Sequence, residues 1–266
     1  MKKVIFSLLL LTLLVGCANN AITGRKQLSL VPESELQAMA INQYAQFLST
    51  NRALPAANTQ AAMVKRIGNK IANAITSYYQ SKGMGNLLDG YKWEFNLVDN
   101  KEINAWCMPG GKVVVYTGIL PVTQNENALA VVMGHEIAHA VAGHGRERVS
   151  QQMVAQGVQV IGSAALSRNP QMNNIFSQVY PVGSQVGVLL PNSRKQELEA
   201  DRFGLLFAAM AGYNPQEAIP FWQRMSQAGG NKPPEFMSSH PSDQMRIDKL
   251  RESMPEAMNY YQKAVK

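Results

Sequence analysis

The stretch VVMGHEIAHAVAGHG, residues 131–145, limits the folds open to this chain more than any other. Its apolar positions belong in a core, yet His135, Glu136 and His139 stand inside it. Thr123 precedes Glu126 by three residues in TQNENALAVV, a capping-box signature ahead of an apolar-periodic run, so the stretch is expected to be helical. Residues four apart on a helix share one face, which brings His135 and His139 within reach of a single ion. Zinc accepts neutral imidazole nitrogens tetrahedrally, and in H-E-x-x-H the glutamate between the ligands acts as general base. An ionised Glu136 without a charged partner would be expensive in so apolar a run, which weighs against mere core histidines.

A catalytic zinc needs a third protein ligand. A metzincin would place a histidine six residues after His139, but that residue is Gly145; the neighbouring His144 points elsewhere around the helix. The alternative is a glutamate on a second helix, and SRKQELEADRFGLLFAAMAG, residues 193–212, offers Glu197 with Asp201 four residues on. Glu197 can then ligate while Asp201 accepts a hydrogen bond from a ligand imidazole. Glu199 competes for the ligand role, but only Glu197 stands four before Asp201.

HEIAHAVAGHGRER, QELEADRFG and SSHPSDQMRI, in this order, resemble the gluzincin metallopeptidases related to the CAAX prenyl protease and the mitochondrial overlapping-activity protease. The likeness covers most of residues 30–255 and is strongest to periplasmic lipoprotein members. It implies an α+β, mostly helical zincin-like domain with a small mixed sheet or hairpin and the HExxH helix. Its HExxH and ExxxD pattern assigns His135, His139 and Glu197 to one Zn2+ per chain, Glu136 to the base and Asp201 to support. In some relatives a histidine of the His-Pro segment reaches the metal and holds the enzyme latent, which here implies His240. Arg246 is expected to pair structurally with an acid, ahead of a role in stabilising the transition state.

INAWCMPGGKVVVYTGIL, residues 103–120, reads as two short strands joined around Gly110 and Gly111. By the same resemblance the hairpin supplies an edge strand for an extended substrate, assigned to Lys112, Val113, Val114, Val115 and Tyr116. Such binding reads backbone and suits unfolded or misassembled envelope proteins. Cys107, on the hairpin, is expected to be a small core residue.

MKKVIFSLLLLTLLVGC has two lysines, an apolar run too short to remain as a spanning helix, and a small residue before Cys17. LVGC resembles the lipoprotein box, implying cleavage before Cys17 and a lipid on its sulfur. The expected organisation is a signal peptide over 1–16, a lipidated tether over 17–29 and a single peptidase domain over 30–266. Ala18 in place of aspartate leans towards the periplasmic face of the outer membrane. Losing Lys2 and Lys3 takes the basic residues from 25 to 23 against 18 acids, so net charge falls from +7 to +5. That balance, with no basic run, argues against nucleic acid as a partner.

Further helices are expected near 33–49, 57–81 and 148–166, with Val64, Ile67, Ile71 and Ile75 on one face of the second. Asn214, Pro215 and Glu217 read as another helix start, with Pro220 a potential kink. Residues 167–192 hold three prolines and suit a lid or substrate-contacting surface. The leading functional expectation is an envelope zinc endopeptidase that degrades misfolded proteins. The alternative is a chaperone-like or binding lipoprotein whose zinc is capped by His240; a deformylase with Cys107 as ligand is a weaker rival.

Overall fold

The computed structural model describes residues 17–158, 166–180, 193–228, 234–240 and 244–266. The expected signal peptide and residues 181–192 of the proline-rich stretch lie outside them.

The described residues begin with a hairpin of β1 (Cys17–Asn19) and β2 (Lys26–Leu28), paired antiparallel. The segment expected as a lipidated tether over 17–29 thus contains this hairpin. Asn20 donates through Nδ2 to the Ala142 carbonyl at 2.6 Å, and the Leu30 amide donates to Ser150 Oγ, so the segment docks on the domain.

Helices α1 (Glu33–Thr50) and α2 (Thr59–Ser81) follow, close to their expected bounds. Asn58 caps α2 by accepting from the Gln60 and Ala61 amides, satisfying donors that the first turn leaves open. Val64, Ile67, Ile71 and Ile75 share the buried face as their spacing requires. Burying each stabilises the fold by about 1.5–3 kcal/mol before the entropy of ordering is charged against it.

The sheet comprises β3 (Glu94–Val98), β4 (Ala105–Met108) and β5 (Lys112–Tyr116) in the order β3-β5-β4. β3 runs parallel to β5 and β4 antiparallel to it. Gly110 and Gly111 turn the β4–β5 connection with φ of 78° and 83°, backbone that side chains with a Cβ rarely adopt. Val113 and Val115 face one core cluster while Val114 and Tyr116 face another, so β5 is covered on both sides. That explains its unbroken apolar sequence.

After α3 (Leu120–Thr123) comes the HExxH helix, α4 (Glu126–Val141). Its cap is Asn125, which accepts from the Ala128 amide; Thr123 ends the preceding helix instead of capping this one. Every residue from Ala128 to Ala140 is buried. Gly143, at φ 62°, turns the chain into α5 (His144–Ala155), which starts earlier than expected. α6 (Pro170–Val179) occupies part of the proline-rich stretch.

Then comes α7 (Arg194–Met210), entered through a Ser193–Gln196 capping box. Gly134 and Gly204 allow α4 and α7 backbone-to-backbone contact: a Cβ on Gly134 would lie 2.5 Å from the Gly204 carbonyl oxygen. Asn214 caps a 3-10 turn over Pro215–Glu217, which leads into α8 (Ala218–Gln227). Pro220 falls in the first turn of α8, where its missing N–H costs no helical bond. α9 (Glu235–Ser239) and α10 (Gln244–Ala264) complete the described chain, with α10 lying along α7. None of the described helices is long and apolar enough to cross a membrane.

Candidate metal centre

Two helices supply most of the site. His135 and His139 sit one turn apart on α4, Glu197 and Asp201 one turn apart on α7, and the glycine contact holds those helices together. His240 comes from the end of α9. All five side chains, and Glu136, are buried.

One nitrogen or oxygen from each of His135, His139, Glu197 and His240 lies within 4.8 Å of the others. His135 Nε2 is 3.1 Å from His139 Nε2 and 3.2 Å from His240 Nδ1. Glu197 Oε1 lies 3.0 Å from His240 Nδ1 and 3.3 Å from His139 Nε2, while its Oε2 lies 3.5 Å from His135 Nε2. A tetrahedron with the usual zinc–ligand lengths has edges of about 3.3 Å. The donor set therefore fits zinc in both chemistry and spacing. Three imidazole nitrogens and a carboxylate crowded this closely, away from water, also call for positive charge. Accordingly, although burial disfavours its cation, the hydrogen bonds of Asp201 and Glu197 bring His135 to about 9. Burial takes His139 well below the ordinary histidine value. Burial would raise Glu197, but His240 and His139 hold it well below the carboxylate range.

Asp201 Oδ1 lies 3.0 Å from His135 Nδ1, the ring nitrogen turned away from the donors. Arg246 grips Asp201 through two 2.7 Å bonds, from Nε and Nη2, and places Nη1 2.8 Å from Glu197 Oε2. It also donates to the His240 carbonyl and stacks 4.1 Å over the Trp222 ring. Arg246 thus ties α10, α7 and the His240 segment into one unit.

Glu136 adjoins the donors without joining them. Its Oε1 lies 3.4 Å from His240 Nε2 and makes no hydrogen bond among the described residues. Burial raises its pKa, against the pull of His240 and His135, which suits a group that must take up a proton.

Glu199 points away from the donors, 3.0 Å from His144 Nε2, and His144 Nδ1 lies 2.9 Å from His139 Nδ1. Sequence reasoning passed over this contact; the signal available was a second polar pair, His144 and Glu199, flanking the two ligand motifs. The position a metzincin would need, Gly145, is closed: a Cβ there would fall 1.6 Å from Tyr180 Oη. Cys107 is buried on β4 and outside the donor group, its thiol pushed well up by burial. Lys112 to Tyr116 are not an edge. β5 is paired on both sides, which leaves no backbone for a peptide; the outer strand that packs on α4 is β4.

A short mixed sheet, an HExxH helix and a glutamate from a second helix define a metallopeptidase of the gluzincin class. The sequence pattern of Peptidase family M48 matches residues 58–254, and the chain belongs to that family. It is 33% identical over 240 residues to the mitochondrial metalloendopeptidase OMA1 of Schizosaccharomyces pombe, covering 89% of this chain and 66% of that one. It is 35% identical over 176 residues to the Arabidopsis thaliana protein of the same name, covering 65% and 34%. The beta-barrel assembly-enhancing protease of Yersinia pestis is 33% identical over 165 residues, 60% of this chain and 34% of that one. The chain thus spans between about a third and two thirds of the length of these relatives.

Proposed function

We propose that this chain is a zinc-dependent endopeptidase of the bacterial cell envelope that cleaves misfolded or misassembled envelope proteins. The observation that carries the reading is the buried His135, His139 and Glu197 donor set with Glu136 beside it, its Oε1 without a hydrogen bond among the described residues. His135, His139 and Glu197 would hold the zinc, which when bound polarises a peptide carbonyl and makes water easier to deprotonate. Glu136 takes the proton from the attacking water and passes it to the leaving amine. Asp201 keeps the His135 ring oriented, with Arg246 fixing Asp201 in turn. The outer backbone of β4 receives an extended substrate, a mode that favours unfolded chains over one defined sequence.

The envelope assignment rests on the lipoprotein-box sequence ending at Cys17 and on the name of the bacterial relative. A lipid at Cys17 would anchor the protein, with the outer membrane the favoured site. His240 supports a second reading, a latent or binding state, because it supplies a fourth protein donor in place of a substrate.

The test is zinc content and cleavage of casein or an unfolded outer-membrane protein by the purified full chain. Wild type should bind about one zinc and cleave, while Glu136→Gln keeps the metal and loses activity. Zinc binding with no cleavage by wild type or His240→Ala would transfer the case to the binding protein.

A further inference from the structure

His139 offers Nε2 to the donor group, so whatever holds its Nδ1 sets the aim of the ring. That partner is Nδ1 of His144, 2.9 Å away, on a side chain with no exposed surface. The other nitrogen of His144 lies 3.0 Å from Glu199 Oε2. An ionised carboxylate can only accept, so His144 donates from Nε2 and its Nδ1 is left as an acceptor. His139 then donates from Nδ1 and keeps the Nε2 lone pair that a metal requires. The proton arrangement is thus set from the carboxylate end.

Glu199 is itself held by Arg25, from the turn of the N-terminal hairpin, through Nε to Oε1 at 2.8 Å and Nη2 to Oε2 at 3.2 Å. The same guanidinium reaches Glu147 with bonds of 2.6 and 2.7 Å. Gln196 donates to Glu147 at 2.9 Å, closing the cluster onto α7. Asn20, at the start of the same turn, is bonded to the residue that ends α4.

We propose that His144, Glu199 and Arg25 are positioning residues for the metal ligand His139, making the N-terminal hairpin a working part of the metal centre. None of the three belongs to the donor group. The inference rests on the reading of His139 as a ligand. His135 is supported by a carboxylate and an arginine directly; His139 is supported by the same pair of groups through one intervening imidazole. An ion-pair cluster serving stability alone would not need an imidazole whose two nitrogens join a ligand to a carboxylate.

The experiment measures zinc affinity of the full chain by competition with a chromophoric chelator, with thermal unfolding of the zinc-stripped protein alongside. His144→Leu removes the acceptor at similar bulk and should weaken zinc binding about 10- to 100-fold. Arg25→Met and Glu199→Gln should weaken it less, in the same direction. His144→Asn, which keeps an acceptor where Nδ1 stands, should recover most of the loss. If His144→Leu does not fold, Glu199→Gln, nearly isosteric, carries the test. Folded variants that bind zinc within about twofold of wild type, whatever their melting temperatures, overturn the positioning role. Wild type binding no better than His139→Ala is a different result: it removes the metal reading and this inference with it.

Discussion

The glycine contact between α4 and α7 fixes the distance between the histidines and Glu197, so Gly204→Ala is a sharp perturbation. A Cβ there would sit 2.5 Å from the His135 amide nitrogen, 2.6 Å from its Cα and 2.8 Å from the Gly134 carbonyl carbon. Ordinary contacts between such atoms are about 3.5–4.0 Å, so the helices must part by about 1 Å. All three atoms are backbone inside a buried helix and cannot swing aside. Glu197 lies two turns before Gly204 on the same helix, and its Oε1 stands 3.3 Å from His139 Nε2. An opening of about 1 Å takes that pair well beyond the edge of a zinc tetrahedron. Overpacking costs about 1–3 kcal/mol, offset by up to about 1 kcal/mol of better helix propensity. Zinc affinity should fall about 100-fold, or roughly 2.7 kcal/mol, through the displaced ligand. Urea unfolding of zinc-stripped protein and chelator competition separate these effects. Gly68→Ala is the control: its Cβ would strike the Phe95 ring at 2.2 Å, on β3 at the other side of the sheet from β4. It should cost stability and spare zinc. Zinc affinity in Gly204→Ala within about threefold of wild type would refute the argument.

Glu136→Gln should retain zinc and lower casein cleavage by about 100- to 10,000-fold, measured as initial rate at saturating zinc. His240→Ala should raise cleavage at least about fivefold if this donor caps the metal in the resting protein; unchanged or lower rates would place His240 with the working ligands. Burial would raise Glu147 and Glu199, but hydrogen bonds from Arg25 and Gln196 to the first, and from His144 and Arg25 to the second, hold both below the ordinary carboxylate value. Their stabilisation is therefore complete above the unfolded value, about 4.3, and lost as pH falls through the lower folded values. Arg25→Met should be less stable than wild type near neutrality, with the gap closing below about pH 4 in denaturant titrations; a gap that widens in acid would contradict this.

The grouping of His135 and His139 on one buried helix was legible because two histidines and a glutamate at HExxH spacing are costly inside an apolar run without a shared role, and the nearness of Glu197 because its pairing with Asp201 repeats the spacing of His135 and His139. Helix α2 was legible for a similar reason, its isoleucines and valine falling on a single stripe. The assignment of β5 as an edge failed because a strand buried on both faces and one buried on a single face at a sheet margin differ in their neighbours, and neighbours are not written in five residues. Thr123 and Asn125 are both good capping residues two positions apart, and only the backbone of α3 decides between them. The hairpin within the expected tether was not legible for a different reason: a short polar stretch behind a cysteine looks like a linker. Its partners, Ala142, Glu147 and Glu199, lie far away in sequence.

That separation bears on how the molecule is built in time. Asn20 meets Ala142 across 122 residues and Arg25 meets Glu199 across 174. At ribosomal rates of about 5–20 residues per second, the hairpin waits roughly 10–35 s for its last partner to exist. Contacts this remote demand that long loops be closed first, so they form late and slowly. A growing chain can complete α4, with its two histidines, long before α7 arrives with Glu197 and with Glu199, the partner for which Arg25 of the hairpin waits. The His135, His139 and Glu197 group therefore cannot assemble until α7 has been made.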